Sequence, residues 1–255
     1  MAIIKSLLNA ISTYSKIPTP YVKMEDKDMR FTMVFFPLVG VIIGGLEYLW
    51  FYIANRFALN NIATLLVAAI LPVIVTGGIH LDGFMDCMDA YHSYGDKEKK
   101  LAILSDPHIG AFCVIKLLEF AALYFAALLL MDEKCIQVYC FGFVISRILC
   151  GISVILLPGA KETGMIHSVK SNASNACLVV LVIELVAVNA VMSYVVKLIP
   201  IFPFWFACFA FLYYRYKVKK DFGGITGDTS GCFLCMTELL WAIVLAIVAV
   251  VLRWI

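Results

Sequence analysis

Charged residues are scarce in this chain. Asp, Glu, Lys and Arg make up 15% of its 255 residues, whereas 63% are apolar. Soluble domains usually contain about 25% charged and about 45–50% apolar residues. A water-soluble fold of this length could not bury so much apolar surface, so the composition excludes that class and indicates an integral membrane protein. The net charge of +2 is also too small to bind nucleic acid by bulk electrostatics.

Paired cysteine motifs are also lacking. Nine cysteines are scattered, mostly through apolar runs, where Cys behaves as a small hydrophobic residue. Cys232 and Cys235 form a lone CxxC without a second pair, which argues against a zinc or redox centre. Residues 1–17 have no uninterrupted apolar core, so we expect no cleavable signal peptide. They predict an amphipathic helix in the cytoplasmic membrane interface or, equally, a lead-in to the first span.

Long apolar runs, by contrast, are abundant. A membrane-spanning helix needs about 20 mostly apolar residues. Seven segments qualify: 31–54, 62–79, 109–131, 135–157, 175–196, 199–214 and 232–252. We therefore predict an all-α fold, a polytopic transmembrane helix bundle of about seven spans that forms one domain over residues 1–255. The alternative is six spans plus a re-entrant segment in place of the short sixth run.

The cationic residues are distributed unequally between the two sides of the predicted membrane. Fourteen of the 20 Lys and Arg residues fall on the side of the N-terminus, four fall on the other side, and Lys116 and Arg147 lie inside spans. Cytoplasmic loops carry an excess of Lys and Arg. The distribution predicts a multi-pass protein of the cell membrane, embedded in the lipid bilayer with a cytoplasmic N-terminus. A homo-oligomer is compatible with this arrangement.

Three carboxylates follow the second span on the predicted cytoplasmic side. Asp82, Asp86 and Asp89, here called the Asp cluster, lie in the segment GGIHLDGFMDCMDA (77–90). Their i, i+4, i+7 spacing puts them on one helix face, where they repel one another unless a cation joins them. Clustered carboxylates suit Mg²⁺, which lets substrate phosphates complete its shell. We predict a Mg²⁺ site here; the alternative is a solvated acidic cap on the span.

Two further motifs lie on the same side. In SDPHIGAF (105–112), Asp106 either caps the third span or contacts the substrate or a second metal ion. In FGGITGDTSG (222–231), glycines with Thr and Ser predict a loop whose N–H groups face an anion, with Asp228 as a further metal ligand. The alternative for this segment is a flexible glycine turn. The substrate-binding residues predicted in it are Gly224, Thr226 and Gly227.

Few charges lie inside the predicted spans. Arg147 lies deep in the fourth span, where a charge costs about 2.5–3.5 kcal/mol on insertion scales, so we expect it to face a polar interior. Its predicted partner is a substrate phosphate or a member of the Asp cluster. Lys116 and Glu119 are spaced i, i+3 and are expected to pair with each other. Because most acidic groups lie at one face, the pattern favours an enzyme fed from the cytoplasm over a transporter.

Together, these motifs resemble the signature of the cobalamin synthase family, the adenosylcobinamide-GDP ribazoletransferases. The resemblance rests on GGIHLDGFMDCMDA followed by SDPHIGAF, and on further matches in family order over nearly the whole chain. These matches are FFPLVGVIIG (35–44), Ser146-Arg147, Lys161–Gly164, FGGITGDTSG and Thr237-Glu238. The Asp-Gly-x-x-x-x-x-Asp pattern also resembles that of CDP-alcohol phosphotransferases, although Phe84-Met85 stands where they carry Ala-Arg.

The resemblance implies a Mg²⁺-dependent transferase that joins α-ribazole, or its 5′-phosphate, to adenosylcobinamide-GDP and releases GMP, late in cobalamin biosynthesis. A ribose hydroxyl would attack the phosphorus nearest the cobinamide. Mg²⁺ at the Asp cluster would neutralise the pyrophosphate, while Arg147, Lys161 and the glycine loop would hold phosphates. The base for the hydroxyl is left open among Asp228, His80 and Asp106. The predicted catalytic residues are Asp82, Asp228 and His80.

Overall fold

A computed structural model describes residues 2–23, 25–196 and 201–253 of the chain. These residues form eleven α-helices, one short 3₁₀ helix (Asp26–Met29) and a single isolated β-bridge, which confirms the all-α prediction. The helices are α1 (Ala2–Tyr14), α2 (Thr32–Arg56), α3 (Asn61–Thr76), α4 (Ile79–His92), α5 (Lys97–Ile103), α6 (Ala111–Leu130), α7 (Glu133–Leu156), α8 (Met165–Asn172), α9 (Asn175–Val196), α10 (Ile201–Asp221) and α11 (Gly227–Leu252).

Five of these helices are long and apolar enough to cross a membrane, namely α2, α6, α7, α9 and α11. A sixth span results if α3 and α4, which meet at 95°, count as one broken span. α10 occupies the place of the sixth predicted span, whose junction with the fifth, residues 197–200, lies outside the described residues. The multi-pass helical bundle is confirmed. The helix ends depart most from prediction where α10 ends and where α11 begins.

The second span ends earlier than predicted. Residues 77–79 were expected to complete it, but α3 ends at Thr76, and Gly77 and Gly78 have left-handed φ angles of 66° and 81°. Such angles strain any residue with a side chain. A Cβ on Gly77 would also collide with the side chain of Lys16. The glycine pair therefore ends α3 and turns the chain into α4, which carries the Asp cluster.

α7 is the central helix of the bundle. Most of its residues are buried, and α2, α9 and α11 pack around it. α2 comes especially close at Gly40 and Gly44, where an added Cβ would collide with the carbonyl oxygens of Phe143 and Cys140, respectively. Small residues permit such contacts between membrane helices, whose association depends on close packing.

We expect Gly44→Ala to destabilise the bundle, because its methyl group would separate α2 from the Cys140 carbonyl of α7. Overpacking of this kind typically costs about 1–3 kcal/mol. Thermal unfolding of the purified protein in detergent should show a lower midpoint temperature. Gly45→Ala is the matched control, since a Cβ there meets nothing within 4 Å. Equal destabilisation by both substitutions would contradict the packing explanation.

α1 packs on the end of the bundle that carries the Asp cluster. The N–H group of Lys16 donates to the carbonyl of Val75 at 2.8 Å, which ties the end of α1 to α3. Ile3 and Ile4, on another face of α1, are 60% and 63% exposed. Exposed apolar side chains suit a helix at the membrane interface, and that placement stays a prediction. The buried stripe of α1 consists of Ser6, Ala10 and Tyr14.

Candidate active site

A cavity of about 310 Å³, here called the site cavity, opens at the end of the bundle that carries the Asp cluster. Its mouth is polar and exposed, whereas its inner end is buried and mostly apolar. The mouth is lined by residues that include Asp82, Lys161, Thr163 and Gly227, and the inner end by residues that include Tyr14, Met33, Phe36, Cys150 and Leu234. Six of the predicted site residues meet here: His80, Asp82, Lys161, Thr226, Gly227 and Asp228.

The start of α11 forms one wall of the site cavity. The glycine-rich segment was predicted as a loop to residue 231, but it is helical from Gly227 onward. Thr226 is the N-cap: its Oγ1 accepts the N–H of Thr229 at 3.1 Å, and the Thr229 hydroxyl accepts the N–H of Thr226 at 2.8 Å. The first N–H groups of a helix have no partner within it and lie at the positive end of its dipole. This geometry suits an anion at the cavity mouth.

Lys161 is held beside the start of α11 by a short β-bridge. The N–H of Ile225 donates to the Pro158 carbonyl at 2.8 Å, and the N–H of Ala160 donates to the Ile225 carbonyl at 2.9 Å. Gly224 packs so tightly here that a Cβ would lie 2.5 Å from the Pro158 carbonyl oxygen. Gly224 therefore supports the loop by its small size, and its predicted substrate contact stays a prediction.

Carboxylates gather near the cavity mouth. The negative charges of Asp82, Asp228 and Asp89 all act on Asp86, and Asp228 is also attracted by Lys161. Such a concentration of like charge favours a bound cation. In the described residues, no three His, Cys, Asp or Glu side chains form a group that could hold an ion alone. The donor set still fits Mg²⁺, which commonly takes one or two carboxylates and completes its shell with water and substrate phosphates.

Asp89 also has a structural role. Its Oδ2 accepts the N–H of Gly110 at 2.8 Å, and its Oδ1 accepts the N–H of Cys113 at 2.9 Å. These bonds satisfy free N–H groups at the start of α6. Asp89 therefore caps this helix, which was one of the two roles predicted for Asp106. The capping alternative for Asp106 is wrong, because α6 begins only after Gly110 and Asp89 reaches it from α4. Metal binding by Asp89 stays a prediction.

Asp106 instead pairs with His108 in an exposed loop. Its Oδ1 accepts the backbone N–H of His108 at 2.9 Å and lies 2.6 Å from Nδ1 of the ring. The backbone and then the ring hydrogen bonds of His108 hold the pKa of Asp106 below its usual value. The Ser105 hydroxyl accepts a hydrogen bond from Lys161 at 2.8 Å. This bond links the loop to the mouth of the site cavity, and a substrate contact by Asp106 stays a prediction.

Arg147 lies inside the bundle and is 1% exposed. Its guanidinium donates to the Glu238 carboxylate at 2.6 Å and to the Phe143 carbonyl at 2.8 Å. The predicted pairing of Arg147 with the Asp cluster is wrong, since Glu238 supplies the countercharge. Sequence reasoning missed this partner, because Glu47, Glu184 and Glu238 each lie alone in a predicted span and the pattern does not choose among them. A phosphate contact by Arg147 stays a prediction.

Known proteins match most of the chain. The family model described as cobalamin-5-phosphate synthase matches residues 6–246. A relative from Lachnoclostridium phytofermentans, named adenosylcobinamide-GDP ribazoletransferase, is 35% identical over 238 residues, which are 93% of this chain and 91% of that protein. A relative of the same name from Clostridium perfringens is 31% identical over 249 residues, 96% of this chain and 98% of its own. No solved structure matches the chain.

Proposed function

This chain belongs to the cobalamin-5-phosphate synthase family, and from that membership we propose that it is a membrane-embedded adenosylcobinamide-GDP ribazoletransferase. The proposed reaction joins α-ribazole, or its 5′-phosphate, to adenosylcobinamide-GDP, releases GMP and depends on Mg²⁺. The observation that supports it best is the site cavity, which brings Asp82 and Asp228 together with Lys161. Family membership decides against a CDP-alcohol phosphotransferase or a transporter. The cavity would open to the cytoplasm, as the distribution of Lys and Arg predicts.

The pyrophosphate of adenosylcobinamide-GDP would bind at the mouth of the site cavity. The N–H groups at the start of α11 favour negative charge there. The Lys161 ammonium, which donates to the Ser105 hydroxyl, would donate a stronger hydrogen bond to a phosphate oxygen, because that acceptor is negatively charged. Asp82 and Asp86, with Asp89 as the predicted third ligand, would hold Mg²⁺, which supplies charge neutralisation when bound.

The attacking ribose hydroxyl must lose its proton as its oxygen bonds to phosphorus and the bond to GMP breaks. A base must lie within hydrogen-bond reach of that proton. Asp228 is the proposed acceptor, because its half-buried carboxylate lines the cavity in the first turn of α11. Of the other two candidates, His80 is buried in the wall of the cavity, and Asp106 is already paired with His108.

The purified protein in liposomes should convert adenosylcobinamide-GDP and α-ribazole 5′-phosphate into GMP and a completed corrinoid. EDTA should abolish the reaction and added Mg²⁺ should restore it, because the clustered carboxylates would otherwise repel the pyrophosphate. Chromatography of both products measures the outcome. The absence of product from folded protein, with either form of ribazole and with Mg²⁺ or Mn²⁺, would contradict the activity. Product formation that EDTA leaves unchanged would contradict the metal requirement alone.

A further inference from the structure

The inner end of the site cavity is aromatic, and the chemistry proposed above does not use it. The ring centroids of Tyr14 and Phe36 lie 4.3 Å apart, and the His80 ring lies 6.2 Å from Tyr14 and 5.8 Å from Phe36. None of the three residues is more than 9% exposed. They come from α1, α2 and α4 and are here called the aromatic pocket. Planar apolar groups pack well against such rings.

One fully buried polar atom of the aromatic pocket lacks a partner within the described residues. His80 Nε2 is buried and makes no hydrogen bond within the described residues. Other buried side-chain nitrogens and oxygens in the described residues also lack a hydrogen bond. Of these unpaired atoms, only His80 Nε2 belongs to a residue that lines the site cavity. Unpaired buried polar groups are costly and therefore rare. The nitrogen points to a hydrogen bond with a ligand.

We propose that the aromatic pocket binds the benzimidazole base of α-ribazole. His80, with its proton on Nε2, donates a hydrogen bond to the ring nitrogen that does not carry the ribose. The base packs against Tyr14 and Phe36, and the ribose extends toward Asp82 and Asp228 at the mouth. The inference rests on the proposed function. It places the attacking hydroxyl on the side of the cavity where the phosphates and the proposed proton acceptor lie.

The competing aromatic group in this reaction is the guanine of adenosylcobinamide-GDP. Guanine carries several donors and acceptors on its edge, and a buried site for it must pair each of them. Within the described residues, His80 Nε2 is the one fully buried side-chain nitrogen or oxygen of the aromatic pocket that has no partner, and it matches the single free nitrogen of a benzimidazole. Small-molecule pockets run from ~300 to ~1,000 Å³. At about 310 Å³, the site cavity suits a nucleoside and is too small for a corrin ring with its side chains.

Isothermal titration of the solubilised protein with α-ribazole alone tests the assignment. His80→Phe should weaken binding about tenfold, because it keeps an aromatic ring against Tyr14 and removes the hydrogen bond. Ile166→Phe should also weaken binding, since it adds volume at the half-buried wall of the site cavity. Ile136→Phe is the matched control. It makes the same change in a separate cavity, formed near the loops at the opposite end of the bundle, and should leave binding unchanged.

Steady-state kinetics and competition separate the aromatic pocket from the overall activity. His80→Phe should raise the KM for α-ribazole and leave the KM for adenosylcobinamide-GDP unchanged, and guanosine should not displace α-ribazole. The assignment is overturned if His80→Phe and Ile166→Phe both leave the affinity and the KM for α-ribazole unchanged. It is also overturned if guanosine displaces α-ribazole. Both conclusions hold even if the wild-type protein is active. Binding that depends on His80 in a protein that forms no product would support the aromatic pocket and contradict the proposed function.

Discussion

Asp82→Asn is expected to lower the turnover of the transferase by about a hundredfold to a thousandfold. Asp82 is exposed at the mouth of the site cavity, which it lines together with Asp228 and Lys161. The substitution keeps the size of the side chain and removes its negative charge, so a neutral and weaker Mg²⁺ ligand replaces the proposed one while α4 can stay folded. The loss should appear in the rate of GMP and corrinoid formation at saturating substrate.

Asp132→Asn is the matched control for this experiment. Asp132 caps α7 at the opposite end of the bundle, where it accepts the N–H of Cys135 at 2.8 Å. Asn is about as good an N-cap as Asp, so activity and stability should both be retained. Wild-type turnover by Asp82→Asn, at the same Mg²⁺ concentration, would remove the Asp cluster from the proposed mechanism.

Removal of one member of the buried Arg147–Glu238 pair is expected to destabilise the protein by about 3–5 kcal/mol. The two side chains are 2.6 Å apart and only 1% and 13% exposed. Arg147→Met would leave the Glu238 carboxylate without its countercharge inside the bundle, and Glu238→Met would do the same to the guanidinium. Unfolding in mixed micelles with increasing SDS, followed by circular dichroism, would measure the change.

The double variant Arg147→Met, Glu238→Met should recover most of the lost stability, because apolar replacement of a buried ion pair is often neutral. Lys116→Met is the control: the predicted pair of Lys116 and Glu119 is confirmed at 2.7 Å, but its side chains are 30% and 54% exposed. Its loss should stay below about 1 kcal/mol. Losses that simply add in the double variant would contradict a direct coupling of Arg147 with Glu238.

Hydropathy located the five spans α2, α6, α7, α9 and α11 well, because a helix in lipid must satisfy its own backbone groups and present apolar side chains over about 20 residues. α9 occupies the predicted residues 175–196, and α2 begins within one residue of its prediction. The bend at Gly77 and Gly78 escaped this reasoning, since hydropathy carries no information on φ. The early start of α11 escaped it as well, although Thr226 and Thr229 carry the spacing of a capping box.

The chemistry of the residues, and for Lys161 the family resemblance, pointed to side chains of the candidate site, but not to what each one contacts. Asp82, Asp228 and Lys161 were predicted from three separate segments, and the fold places all of them around the site cavity. Asp89 shared the spacing that singled out Asp82, yet it also caps α6. Asp89 can cap α6 only because α6 begins beside α4. The i, i+4, i+7 pattern describes α4 alone and contains no information about the position of α6.

The sequence by itself determined the membrane class, the helical architecture, the family resemblance and the end of the bundle where the reactive residues lie. These follow from composition, from the lengths of apolar runs and from the order of motifs. Only the tertiary structure decided that Arg147 pairs with Glu238 and that Tyr14, Phe36 and His80 form one pocket. Such contacts join residues from different helices, and their distances depend on how whole helices pack, a property that no single segment contains.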